Sequence, residues 1–458
     1  MAQQLAGIVA RMDKLYEFDR EPVTDDRLHP GRRFAGLFAG EHVAATEFVI
    51  GAFFVLHGIT ARDLLLGLLT GNLLAVASWT FICAPIAVRT RLTLYWYLQK
   101  IAGPGLTLIY NVANAFLYCI LAGAMISVAA TAVGLGFGMK TPALTDFLPN
   151  SVEWVLTTFL IGAAFTVVAV LGFEKLSRFA SVASPWIFVV FLAGAIATLP
   201  RLGVHANLDN LWEIAQTKVW NGVPTPGQEQ FHLWHVAFFA WFANLAMHIG
   251  LSDLALFRYA KSWKHGLYSA FGMFPGHMLA WLCSGIMVAG IGREMNPGLM
   301  AYEAIGIAGV FGVLLAGWTT ANPTLYRAGL ALQTITPNWP RWKITLIAGL
   351  VTAILAAFPV FFVKLLDYVA IYGLVLMPIG AIVFAEHWIL PRIGAQQYLA
   401  EKRGWLLNWR ALVVWFGTLG VCYFMPIHLY YRWAPGWVLA VAVYTLLQKY
   451  TVKEDRNA

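Results

Sequence analysis

Charge is what this 458-residue chain has least of: Asp, Glu, Lys and Arg together make up 12% of it, while hydrophobic residues make up 59%. An ordinary soluble domain is roughly a quarter charged. The shortage excludes a soluble globule of this length and requires that much of the exterior face lipid. Cysteine is also scarce. Cys83, Cys119, Cys283 and Cys422 lie far apart in apolar stretches and read as buried free thiols, not a disulfide framework or a metal cage. No glycine-rich lysine loop of a nucleotide-driven pump occurs. His42 and Glu47 lack the spacing of a His-Glu-x-x-His zinc motif. No nucleophile, base and orienting group stand together in the sequence, so an enzyme is not expected and neither is an organic cofactor. The N-terminus has no short basic stub with an apolar run, so the first span is expected to direct insertion itself.

What the chain does have is a series of apolar windows of spanning length, about 20 residues each. They fall near 34–57, 64–88, 104–134, 152–172, 179–199, 234–257, 266–292, 299–326, 344–363, 367–390, 411–427 and 433–449. The runs are unbroken rather than alternating, which predicts an all-α integral membrane protein of twelve spans and not a barrel. With the N-terminus inside, the outer segments hold Arg62, Lys140, Arg201, Lys218, Arg293, Lys364 and Arg432, leaving 24 of the 31 basic residues on the cytoplasmic side. Such an excess follows the positive-inside rule and accounts for the net charge of +8 without a nucleic-acid partner. Both termini are then cytoplasmic, in the inner or plasma membrane, with the bilayer as the first partner and a monomer as the default state.

Residues 34–199 and 234–390 each hold five spans, so the two blocks are expected to be inverted repeats. Residues 1–33 form a cytoplasmic tail, 200–233 an extracellular connection, 391–450 two accessory spans, and 451–458 a second cytoplasmic tail. Transporters built this way place their site at the midplane, where the first helix of each repeat is broken. Span one carries Glu41, His42, Thr46 and Glu47 at membrane depth, and span six carries Asn244, His248 and Gly250 at the matching place. Within the connection, residues 208–216 are expected to form a short helix across the outer surface.

Specific motifs accumulate beyond this pattern. Gly71-Asn72-Leu73-Leu74, the run Trp318-Thr319-Thr320-Ala321-Asn322 with Leu325-Tyr326 and Gly329-Leu330, Met377-Pro378-Ile379-Gly380, and Asn408-Trp409 together resemble the nucleobase:cation symporter-1 family, in particular its cytosine permease branch. The resemblance implies the leucine-transporter fold, five-plus-five inverted repeats with two accessory helices, and inward movement of purines, pyrimidines or related heterocycles with Na⁺ or H⁺. It implies that Thr319 and Thr320 supply hydroxyl ligands to a cation, opposite backbone carbonyls of broken span one. A hard cation wants several oxygen ligands, which suits such a set. The competing role of a helix hydroxyl is a bond to its own i−4 carbonyl.

The departures concern the solute. The family's Asn-Asp after the two threonines is Ala321-Asn322 here, and its span-three Trp is replaced by Tyr118 and Phe116 beside Asn111 and Asn114. Span one is small and apolar in the relatives, yet polar here. A solute more polar than a nucleobase, hydroxylated or zwitterionic, is therefore the alternative expectation. The candidate solute-binding residues are His42, Thr46, Glu47, Asn114, Tyr118, Asn244, His248 and Asn322. Intramembrane ionisable groups usually face a cavity, and three roles are open to Glu47: cation ligand, partner of a solute amine or hydroxyl, or proton carrier. Glu41, only eight residues after Arg33, reads equally as a wet interfacial carboxylate. Asn114 and Asn322 have helix–helix bonding as their competing role, and Trp241, Trp281 and Trp318 have packing. From another class, a membrane receptor that senses a ligand without moving it fits the same composition.

Overall fold

The computed structural model describes residues 12 and 16–457, except 144–145, 293–295, 337 and 364; for 362–367 and 450–457 only the backbone is described. Arg293 and Lys364, two of the charges assigned to outer segments, and most of residues 1–15 therefore lie outside the described residues. The described chain is helical, with no strand and only two isolated bridges, His29 with Ala260 and Thr60 with Asn221. Helices satisfy every backbone group within the segment, as lipid demands.

In chain order the principal helices are α1 (Gly31–Glu41), α2 (Glu47–Leu56), α3 (Ala61–Thr90), α4 (Pro104–Gly136), α5 (Val152–Val170), α6 (Phe173–Leu202) and α7 (Leu233–Phe242). They continue with α8 (Trp263–Ile291), α9 (Ile307–Leu332), α10 (Arg341–Ala356), α11 (Tyr368–Arg392), α12 (Trp409–Phe424) and α13 (Trp433–Asn457). Several starts are written locally. The side chains of Thr60, Ser151 and Asn408 accept from Asp63 N at 3.1 Å, Trp154 N at 3.2 Å and Arg410 N at 3.2 Å, each filling an otherwise orphaned donor.

Six helices are individually long and apolar enough to cross a bilayer: α3, α4, α5, α6, α8 and α11. They make this a multi-pass membrane protein. Every expected window is helical, but the count of twelve does not follow from length and apolarity alone. The first and sixth windows are broken into short pieces, the ninth and eleventh hold 16 residues each, and α9 is made more polar by Thr319, Thr320, Asn322 and Thr324. The eighth window also differs from expectation: it is a short helix, Pro297–Ile305, then a turn at Gly306 (φ +62°), then α9. In the connection between α6 and α7, Leu211–Ile214 is helical and runs into a wider turn over Ala215–Val219, pinned where Lys218 Nζ donates to Leu202 O at 2.7 Å.

Two close approaches position the centre of the molecule. A Cβ on Gly380 of α11 would lie 1.8 Å from the Ile249 carbonyl, and one on Gly51 of α2 would lie 1.8 Å from Ser284 Oγ of α8. Only glycine lets these backbones meet. Four arginines counted with the cytoplasmic loops, Arg258, Arg327, Arg341 and Arg410, are in fact buried. Arg258 donates to Phe18 O at 2.5 Å, Glu17 O at 2.6 Å and Tyr326 Oη at 3.0 Å, strapping the N-terminal segment across the ends of two helices. At the opposite end, Glu229 sits between His235 (3.7 Å) and His428 (3.8 Å), while its carbonyl meets His57 Nδ1 at 2.7 Å. All four cysteines are buried and free.

Candidate functional site

Both expected helix breaks exist. After Glu41 the chain leaves the α-helix through His42–Thr46 and re-enters it at Glu47. After Phe242 it passes Asn244, makes a single turn (Leu245–His248), and reverses through Leu251, a non-glycine residue at φ +64°. Left-handed backbone at such a residue is strained and is held by its surroundings: Ser252 Oγ and Ser252 N both donate to Ala246 O, at 2.9 and 3.2 Å. In the unwound segments, backbone carbonyls and side chains are freed from helical bonding.

On one side of the breaks lies an enclosed ionic group. Arg327 of α9 donates to Glu41 Oε1 at 2.5 Å and Oε2 at 3.1 Å, and also to Asp253 Oδ1; Asp253 Oδ2 accepts from Trp79 Nε1 at 2.7 Å. All four side chains are buried. Glu41 is thus not a wet interfacial carboxylate, because α9 supplies its counter-ion from within the bundle. Arg327 was hidden from sequence reasoning by its position two turns past a polar run, where it passes for a loop charge.

Beside it, oxygens converge. Thr320 Oγ1 donates to Glu41 O at 2.9 Å and lies 3.0 Å from Ala316 O, while Thr319 Oγ1 lies 3.2 Å from the same Ala316 carbonyl and 3.1 Å from Leu315 O. Two hydroxyls of α9 and a carbonyl of span one therefore stand together, as a small hard cation needs. Thr319 here also makes the back-bond that was its competing role. Among the described residues no three His, Cys, Asp or Glu side chains are arranged to hold a metal ion.

On the far side of the first break, at the start of α2, is Glu47, buried and held by Trp281 Nε1, by Thr46 Oγ1 at 3.4 Å, and through its backbone carbonyl by Ser284 Oγ at 2.8 Å. His277 Nε2 lies 3.9 Å from its Oε1, with the imidazole stacked on Trp281 at 4.4 Å. His277 was not foreseen. It closes a wider, π-type turn over Gly272–Met278, interrupted by Pro275, that wraps the first break. A Cβ on Gly272 would come within 2.8 Å of the His42 ring, and one on Gly276 within 2.9 Å of the His42 carbonyl. The run Gly272, Pro275, Gly276 inside an apolar window was the available signal.

A cavity of about 80 Å³ opens between the two breaks. Of the residues expected at the site, His42, Thr46, Glu47, Asn244 and Thr320 line it, joined by Glu41, His277, Thr324, Tyr372 and the rings of Phe239, Phe242 and Tyr430. His42 Nε2, Asn244 Nδ2 and His277 Nδ1 have no hydrogen-bond partner among the described residues, so this cavity carries unspent polar capacity. The other expected residues stand apart from it. His248 Nε2 meets Trp241 O at 2.9 Å with its ring edge-on to Trp79. Asn114 Oδ1 accepts from Tyr372 Oη at 3.1 Å, and Tyr118 packs edge-on to Tyr372 and lies 3.5 Å from Tyr95 Oη. Asn322 is buried with neither amide atom partnered. Trp318 is packed between Phe165 and Phe179, and Trp241 donates to Ser78 Oγ at 2.9 Å.

No family model and no curated protein sequence matches the chain. Solved structures do match over nearly its full length. Mhp1, a nucleobase-cation-symport-1 family transporter in a closed conformation with bromovinylhydantoin bound, superposes with a TM-score of 0.74 at 16% identity, covering 96% of both chains. A Na⁺-coupled sialic acid symporter in a substrate-bound outward-open state gives 0.68 at 13% identity, covering 97% of this chain and 96% of that one. MhsT in complex with L-phenylalanine gives 0.57 at 16%, covering 93% and 99%. At these identities the likeness shows the fold: the chain has the leucine-transporter architecture that these proteins share.

Proposed function

We propose that this protein is a secondary active symporter that imports a small polar solute by alternating access, with Na⁺ as the coupling ion. The observation that carries this is the convergence of Thr319 Oγ1, Thr320 Oγ1, Ala316 O and Glu41 O beside a cavity at the two helix breaks. In this reading, Na⁺ binds between span one and α9 and completes the geometry of the broken helix, which in turn shapes the solute cavity. H⁺ is the alternative driver, carried on Glu47. The overall arrangement is twelve spans, with 34–199 and 234–390 as inverted repeats, 391–450 as the accessory pair and both termini cytoplasmic. With the four buried arginines set aside, 20 of the remaining 27 basic residues fall on one side, which supports that orientation. The protein acts as a monomer in the plasma or inner membrane without a nucleic-acid partner. That the structural neighbours include a nucleobase-family transporter and a sialic acid symporter supports solute transport over sensing.

For the solute, a nucleobase-like heterocycle, cytosine- or purine-like, is the reading suggested by the motif run at Trp318–Leu330. A hydroxylated or zwitterionic metabolite is the second, favoured by the Glu47 carboxylate in the cavity wall. Uptake into proteoliposomes is the test. Transport should require an inward sodium gradient, and Thr319→Ala and Thr320→Ala should each weaken sodium dependence by about tenfold or more, the loss of one good ligand (about 1.4 kcal/mol). Ligand binding without accumulation would establish a receptor instead. Uptake indifferent to sodium and abolished by Glu47→Gln would make H⁺ the driver.

A further inference from the structure

Charge counting around the cavity leads beyond transport as such to the kind of solute. Three carboxylates, Glu41, Glu47 and Asp253, are buried at the two breaks, and among the described residues the guanidinium paired with them is that of Arg327, which serves Glu41 and Asp253. Counted formally, with the carboxylates ionised and the histidines uncharged, the site holds two negative charges in excess. An unpaired carboxylate in the middle of a membrane costs several kcal/mol, so each excess charge calls for a cation. One is met by the ion placed between Glu41 O and the α9 hydroxyls. The second belongs to Glu47, whose contacts, the Trp281 N–H, the Thr46 hydroxyl and a distant His277, leave it without a fixed counter-ion.

Part of the wall of the same cavity is aromatic. Phe239 and Phe242 pack around Tyr430, with ring centroids 5.1 and 5.8 Å from its own, and Phe239 also meets Trp281 edge-on. The faces of such rings carry partial negative charge and favour a cation. Resting on the reading of this cavity as the solute site, we infer that the solute is a small singly charged organic cation, an amine or amidine. Its nitrogen donates to the Glu47 carboxylate, while its apolar body lies against Phe239, Phe242 and Tyr430. Asn244, whose Nδ2 is unpartnered, is placed to bind a second polar atom of the same molecule.

The test pairs charged and neutral probes of equal shape: benzylamine against benzyl alcohol, and isobutylamine against isobutanol. Thermal unfolding of the detergent-purified full chain is followed in sodium and in potassium. The amines should raise the unfolding midpoint in sodium by several degrees and the alcohols should leave it in place. Glu47→Gln should weaken amine affinity by roughly a hundredfold, the loss expected when a buried charged partner is removed. If the alcohols stabilise as well as the amines, or no amine does, the inference falls while sodium stabilisation leaves the symporter reading standing. If Glu47→Gln changes sodium affinity and spares the amine preference, Glu47 holds a second sodium ion and the inference falls as well. If sodium itself neither stabilises the wild type nor depends on Thr319 and Thr320, it is the coupling proposal that fails. The wild-type comparison of amine with alcohol stands even where a variant does not fold.

Discussion

Arg327 reaches from α9 to both broken helices, and its guanidinium is shared between Glu41 and Asp253 with no water-exposed surface. Such a group holds its place because each partner neutralises the other; deleting the cation leaves two carboxylates facing one another in a dry interior. Arg327→Met should therefore cost about 3–5 kcal/mol, read as a large drop in unfolding midpoint. The triple replacement with Glu41→Gln and Asp253→Asn should recover part of the loss, because no lone charge then stays buried. The same residue shows where sequence reasoning reached its limit. Glu41 and Glu47 were visible because a carboxylate in an apolar window stands out against its neighbours. Arg327 was not, since at the end of a window a basic residue passes for a loop charge. His277 was missed because one imidazole carries no period and its role comes from a turn that only the packing around His42 produces.

Among the elements, the two breaks were legible because polar residues interrupt spans one and six at matching depth. The π-type turn in α8 and the split of the eighth window were not, because both depend on backbone spacing that a hydrophobic pattern does not encode. What holds the broken span six against its neighbour is a single missing side chain. Gly380→Ala would place a methyl 1.8 Å from the Ile249 carbonyl, so α11 must retreat from the break. The helix itself favours alanine over glycine by roughly 0.5–1 kcal/mol. The expected outcome is thus a protein that still folds and inserts but loses uptake, measured in proteoliposomes beside an unchanged yield of monodisperse protein. Unimpaired uptake would mean that this contact does not set the geometry of the break.

For the molecule as a whole, the fold was the most legible feature, since apolar windows and the phasing of charge speak at the scale of the entire chain. The tertiary ties at its ends were not legible. His428 lies between α12 and α13; burial holds it below the usual histidine range, ahead of the opposing pull of Glu229. It is therefore neutral in the folded protein at pH 7. As the pH falls below about 6.5, the unfolded chain takes up a proton that the folded one refuses, so stability declines with acid through that window. The unfolding midpoint should fall between pH 7.5 and 5.5 by more than in the variant His428→Gln. An equal fall in both proteins would assign the loss to other groups. The cysteines have a practical side. With all four sulfurs enclosed, the native chain is a silent background for thiol chemistry. A single cysteine introduced at the exposed Val223 of the connection between α6 and α7, or at the exposed Leu406 between α11 and α12, would carry a spin label or fluorophore without competition. The opening and closing of either end could then be timed in a protein that needs no prior cysteine removal.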